Sequence, residues 1–203
     1  MEDINADEAL ERLGIGNSRY HGGESQEPHL QEHRDSLIEN GQRPFACVIG
    51  CSDSRTAPET VFHARLGDLF TIRTAGNVIG KYELGSIEYA VCHLGVPLVI
   101  VMGHTHCGAV HAAVSEEKEI GALADLVAEV SAGIGNERDP RRAENLNVMH
   151  GLSIIKDDPV LADAIKAGKV MAVGAIYDAS SGKVEFISDV LPGSASGQRC
   201  FDA

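Results

Sequence analysis

The chain predicts an α/β fold: a mostly parallel central sheet flanked by helices, with a C-terminal antiparallel edge strand and an N-terminal helical arm. Three observations carry this. Residues 44–50 (PFACVIG) and 96–103 (VPLVIVMG) are continuous apolar runs ended by glycine, the pattern of strands buried on both faces of a parallel sheet. Segments of helical periodicity lie between the strand candidates, and that alternation implies right-handed crossovers. Residues 170–177 and 183–187 flank a turn-rich loop at 178–182, which fits a closing hairpin.

In order along the chain, Ile4, Ala9, Leu10, Leu13 and Ile15 recur at helical spacing, with Asp7 and Glu8 where acids favour a first turn, so residues 5–20 read as a helix. Residues 21–43 are polar and rich in Gly, Glu, Gln and His, a surface excursion with room for a short helix. The run 69–73 is a third, shorter strand, and residues 58–64 and 82–94 have helical periodicity. From Ala109 a helical tail follows, broken near 133–140 and again by Pro159.

The 203 residues suit a single domain: an N-terminal helix and polar arm (1–43), an α/β core (44–187) and a tail (188–203). Lys and Arg number 17 against 30 acids, a net charge of −13, which argues against nucleic acid and anionic membrane surfaces. The first thirty residues hold no signal-peptide pattern, and no stretch approaches the roughly 20 apolar residues of a membrane span. A cytoplasmic location is expected. Cysteines at 47, 51, 92, 107 and 200 make an odd count, which favours metal binding or catalysis over a disulfide framework.

Two clusters carry the chemistry: Cys51-Ser-Asp53-Ser-Arg55 and His104-Thr-His106-Cys107-Gly108. Cys51, His104 and Cys107 supply two thiolates and an imidazole, one short of a filled tetrahedral zinc shell. Structural zinc sites close that shell, whereas catalytic sites keep the fourth position for water or substrate. Cys51 and His104 each follow the glycine that ends a buried strand, and ligands of open α/β sheets gather outside those carboxyl ends. Asp53 and Arg55, on one side of an extended segment, can pair through charge-assisted hydrogen bonds. Such an Asp53 either orients the water at the metal or binds the metal itself, depending on whether Arg55 or the ion holds it. As a plain surface ion pair the two would contribute little. Cys47 and Cys92 read as buried packing, Cys200 as a tail residue without a role, and His21, His29, His33 and His150 as solvated. His106 is the alternative ligand to His104, but its place next to Cys107 points it elsewhere, where it is free to relay protons. A cysteine phosphatase loop needs five residues between cysteine and arginine, and Cys51 and Arg55 have three.

At these clusters the sequence closely resembles the β-class carbonic anhydrases. CSDSR at 51–55 and the His, two residues, Cys, Gly pattern at 104–108 match that family's zinc signatures. The likeness extends to LGIGNSRY near the start, RTAGNV at 73–78, GSIEYAV at 85–91 and VGAIYDASSGKVEFI at 173–187. It implies one Zn2+ per chain on Cys51, His104 and Cys107, and a catalytic dyad of Asp53 and Arg55. It also implies a carbon dioxide pocket lined by Gln42, Phe70 and Tyr89, as in the plant-like branch, with the Gly108 amide beside the last ligand. In that family Gln42's counterpart reaches the site across a dimer interface, so the resemblance implies a homodimer or a dimer of dimers. Val48 stands where some bacterial members carry a tryptophan of a noncatalytic bicarbonate pocket, while Arg73 matches an arginine there. The implied activity is reversible hydration of carbon dioxide to bicarbonate and a proton. The alternatives are hydrolysis of carbonyl sulfide or carbon disulfide at the same centre, and a structural zinc protein without turnover.

Overall fold

Strands that lack polar alternation need cover on both faces, and the computed structural model, which describes residues 4–24, 30–115 and 118–187, provides it. Strands β1 (Ala46–Cys51) and β3 (Leu98–His104) are buried at every position and pair in parallel at the heart of one five-stranded sheet. Strand β2 (Leu69–Thr74) runs parallel to β1, and β4 (Met171–Tyr177) parallel to β3. Strand β5 (Val184–Ile187) is the antiparallel partner of β4. The order is β2-β1-β3-β4-β5, the predicted mostly parallel sheet with an antiparallel edge. One detail differs from expectation. The strands run past their glycines, so Cys51 and His104 are the last residues of β1 and β3 rather than the first of the loops.

Right-handed crossovers moving in opposite directions must leave the sheet on opposite faces, and the helices follow that rule. Helix α1 (Ala6–His21) and the short α3 (Pro58–Val61) cover one face, packing on Val48, Ile100, Met102 and Ala175. Helices α4 (Lys81–Cys92), α7 (Pro140–Asp157) and α8 (Pro159–Lys166) cover the other, over Cys47, Ile49, Val99 and Val101. Helix α2 (Leu30–Asn40) occupies part of the polar excursion. Helices α5 (Gly108–Ser115) and α6 (Ala122–Ile134) gather with the start of α7 around Cys51 and Cys107 in a third apolar cluster. The expected breaks in the helical tail are helix starts: Pro140 and Pro159 occupy first turns behind the capping carboxylates of Asp139 and Asp158.

Because β1 connects to β2 on one side and the chain then returns past β1 to β3, the connections diverge between β1 and β3. That switch point is where crevices open in such sheets. Cys51 and His104 stand at its rim.

The LGIGNSRY segment acquires a physical reason here. A Cβ at Gly16 would lie 1.9 Å from the Phe62 carbonyl oxygen, so only glycine lets α1 seat on α3. The next residue, Asn17, is buried, donates to the carbonyls of Val61 (3.0 Å) and Gly182 (2.9 Å) and accepts from the Val184 amide (2.8 Å). One side chain thus ties the N-terminal helix to both α3 and the β4–β5 hairpin. Asn17→Ala leaves three backbone groups unpaired and is expected to lower unfolding free energy by about 3 kcal/mol in a denaturant titration. A loss below about 1 kcal/mol would show that these bonds do not anchor the arm.

Candidate metal centre

Adjacent parallel strands end at the same level, so Cys51 and His104 emerge side by side, and the turn after β3 returns Cys107 to them at the start of α5. The three donor atoms lie within 4.8 Å of one another, and all three residues are buried. The Cys51 and Cys107 sulfurs are 4.0 Å apart, and both cysteines are free of disulfides. Two thiolates sharing a tetrahedral ion at about 2.3 Å each would sit about 3.8 Å apart. The His104 ring supports the same reading. Its Nδ1 lies 2.9 Å from the Thr105 carbonyl, which assigns the proton there and leaves the Nε2 lone pair free. Nε2 is buried without a hydrogen-bond partner among the described residues, an arrangement that a cation satisfies. These residues fit a zinc ion.

Backbone amides prepare the sulfurs for negative charge. Cys51 Sγ accepts from Gly76 N (3.3 Å) and Asp53 N (3.4 Å), and Cys107 Sγ faces the amides of Val110 and Ala109 in the first turn of α5. The hydrogen bond from Cys107 holds Cys51 down at about 4, and the same bond pushes Cys107 up. Burial opposes charge on His104, but the Cys51 thiolate, the Thr105 carbonyl and the Asp53 carboxylate together outweigh it and raise that ring. A dication held by both sulfurs would neutralise their charge.

Asp53 is gripped by Arg55, with Nε to Oδ1 at 2.9 Å and Nη2 to Oδ2 at 2.7 Å. The segment is a turn, not the extended stretch the sequence suggested. Asp53 Oδ1 also accepts from the Arg55 amide (3.0 Å), and its carbonyl accepts from Thr56 N (3.1 Å), which folds the pair together. The Arg55 hydrogen bonds hold the Asp53 carboxyl well below the usual range. Arg55 Nη2 reaches the His106 carbonyl (3.2 Å), and Arg73 binds the carbonyls of Cys51 (3.0 Å) and Asp53 (2.7 Å).

A family model described as carbonic anhydrase matches residues 46–184, which contain all five of these site residues. The chain belongs to the β-class carbonic anhydrase family. It is 37% identical over 198 residues to a carbonic anhydrase of Mycolicibacterium smegmatis, covering 93% of this chain and 96% of that one. It is 36% identical to carbonic anhydrase 2 of Mycobacterium tuberculosis, covering 90% and 93%. Among solved structures, the β-carbonic anhydrase CafA of Aspergillus fumigatus superposes with a TM-score of 0.71 at 34% identity, covering 80% of this chain and 85% of that one.

Of the residues expected to line a substrate pocket, Phe70 and Tyr89 lie away from the Cys/His/Cys group of their own chain and Gly108 lies next to it. Phe70 pairs in register with Cys47, four residues before Cys51 and so about 13 Å down the strand. Its ring tilts against Tyr89 of α4 (6.2 Å between centroids), and Tyr89 is 47% exposed. Gln42 is exposed ahead of β1, and Gly108 opens α5 directly after the last cysteine.

Other sequence readings divide. Cys47 is buried as expected, with burial pushing its thiol up to about 12. Cys92 is exposed, because it ends α4 on the solvent side. His150 is not solvated: it is half-buried between α6 and α7, with Nε2 2.8 Å from Glu129 Oε1. His33 is half-buried and His21 exposed. His106 is exposed and outside the cluster, as anticipated. His29 and Cys200 lie outside the described residues. Two contributors escaped the sequence reading, Gly76 and Glu144. Glu144 left a readable trace, since it shares the buried stripe of α7 with Asn147, Val148, Gly151 and Ile155.

The depressed Asp53 titration gives a test. A carboxyl lowered on folding stabilises the native state above its unfolded value, about 4, and that contribution is lost only as pH falls through the lower folded value. In an NMR titration of the side-chain carboxyl carbon, Asp53 is therefore expected to show no inflection near pH 4. An Arg55→Ala variant should restore one, and an ordinary titration in the unaltered protein would refute the grip.

Proposed function

We propose that this chain catalyses the reversible hydration of carbon dioxide to bicarbonate and a proton, using one zinc ion held by Cys51, His104 and Cys107. The observation that carries the reading is a buried three-donor group beside a carboxylate already committed to Arg55. A structural zinc site needs four protein donors, and among the described residues the group brings together three. When bound, zinc supplies the Lewis acidity that makes water a nucleophile near neutral pH.

The chain's own residues do the rest. Ionised Asp53 has no proton to give, so it can only accept a hydrogen bond from the attacking water and turn its lone pair towards the carbon of carbon dioxide. Arg55 keeps that carboxylate charged and aimed. The Gly108 amide lies in the first turn of α5, where N–H groups lack intrahelical partners and the helix dipole favours negative charge, and it stabilises the developing oxygens. Gln42, Phe70 and Tyr89 line the carbon dioxide pocket of a homodimer or dimer of dimers, each set serving the metal centre of a second copy. Support for this comes from the Phe70–Tyr89 pair, partly buried at the phenylalanine and exposed at the tyrosine, and from its distance from the Cys51 of its own chain. A cytoplasmic setting belongs to the same reading, supported by the four described cysteines all being free thiols and by no described helix being long and apolar enough to cross a membrane.

Stopped-flow measurement with a pH indicator tests this. Asp53→Asn keeps the shape and the three metal donors, and hydration is expected to fall about 100-fold or more, as for loss of an acid–base or orienting group. Zinc content should be unchanged. Full activity in that variant, or faster sulfide release from carbonyl sulfide than carbon dioxide hydration in the unaltered protein, would overturn the assignment.

A further inference from the structure

Glu144 is a carboxylate 5% exposed inside the packing of α7, where acids are almost never found without a partner. Its Oε1 accepts from the Cys107 amide at 3.3 Å, and its Oε2 lies 3.9 Å from Nη1 of Arg141, one turn earlier on the same helix. The Cys107 amide belongs to the same peptide unit as the His106 carbonyl, and that oxygen accepts from Arg55 Nη2 at 3.2 Å. One peptide is thus held at both ends, by a buried acid on its N–H and by the Asp53-binding arginine on its oxygen.

The position of this peptide matters for two reasons. His106, which it follows, has φ +60, a conformation that a residue with a side chain keeps only when its surroundings impose it. Cys107, which it precedes, is the N-cap of α5: its carbonyl accepts from His111 N at 2.9 Å, and its sulfur faces the amides of Ala109 and Val110. Rotation of the held peptide would swing the sulfur away from Cys51 and carry the His106 carbonyl away from Arg55.

We propose that Glu144 is a positioning residue for the metal centre, locking the 106–107 peptide so that Cys107 Sγ stays within reach of an ion shared with Cys51 and His104. This rests on the metal-binding reading given above. The role is geometric: an acceptor oxygen at the right reach, not the negative charge. Glu144→Gln keeps the acceptor and removes the charge, Glu144→Asp keeps the charge and shortens the reach, and Glu144→Ala removes both.

Zinc affinity by chelator competition and the thiolate charge-transfer band of the Co2+-loaded protein report on the centre without using activity. Glu144→Ala and Glu144→Asp are expected to bind zinc 10- to 100-fold more weakly, as for loss of a group supporting a metal ligand, with an altered Co2+ band. Glu144→Gln should remain within about threefold of the unaltered protein, with its band intact. If Glu144→Ala does not fold, the Asp and Gln variants still decide the matter. A Gln variant as weak as the Asp variant, or Asp and Ala variants with unchanged affinity and spectrum, would overturn the positioning role. Failure of the unaltered protein to bind either ion would instead overturn the metal reading beneath it.

Discussion

Two cysteine sulfurs buried 4.0 Å apart, with an imidazole nitrogen that has no hydrogen-bond partner among the described residues, form the contact on which the rest of this structure turns. Two buried thiols that close disfavour double ionisation: the hydrogen bond between them lowers Cys51 and raises Cys107. The fold creates this tension by ending β1 and β3 together at the switch point of a parallel sheet. Gly103, just before His104, permits it. A Cβ there would lie 2.6 Å from Val148, so glycine is what lets α7 pack down on the strand that delivers the histidine.

Around that contact, loops distant in sequence lean on one another. The Gly76 amide supports Cys51, and Gly76's own carbonyl is held by Asn147 of α7 at 2.8 Å. Arg73 fixes the backbone that carries Cys51 and Asp53, while Arg55 joins Asp53 to the loop that carries Cys107. Helix α7 therefore braces both sulfurs, through Asn147 on one side and Glu144 on the other. The Asp53–Arg55 pair and the Cys51, His104 and Cys107 group are one mechanical unit, and a shift in either is felt by the other.

The parts of this arrangement legible in the sequence are those encoded locally. Apolar runs marked the central strands because they are buried on both faces, and the spacing of Cys51, His104 and Cys107 marked the donors because strand ends and one turn suffice to bring them together. Where a residue's role depends on tertiary partners, periodicity was silent. His150 read as solvated because Glu129 lies on another helix, and Cys92 read as buried although it ends α4 facing solvent. The pairing of Asp53 with Arg55 was foreseen but its cause was not, since a turn rather than an extended segment brings them together. Glu144 sat in plain view on the apolar stripe of α7, but its meaning depends on an amide 37 residues away.

X-ray absorption at the zinc edge of the zinc-loaded protein tests the central claim most directly, because it counts sulfur and lighter donors separately. Two sulfurs at about 2.3 Å and two nitrogen or oxygen donors at about 2.0–2.2 Å are expected, as for two cysteines, one histidine and one further light atom. A shell with one sulfur, three sulfurs or none would contradict it.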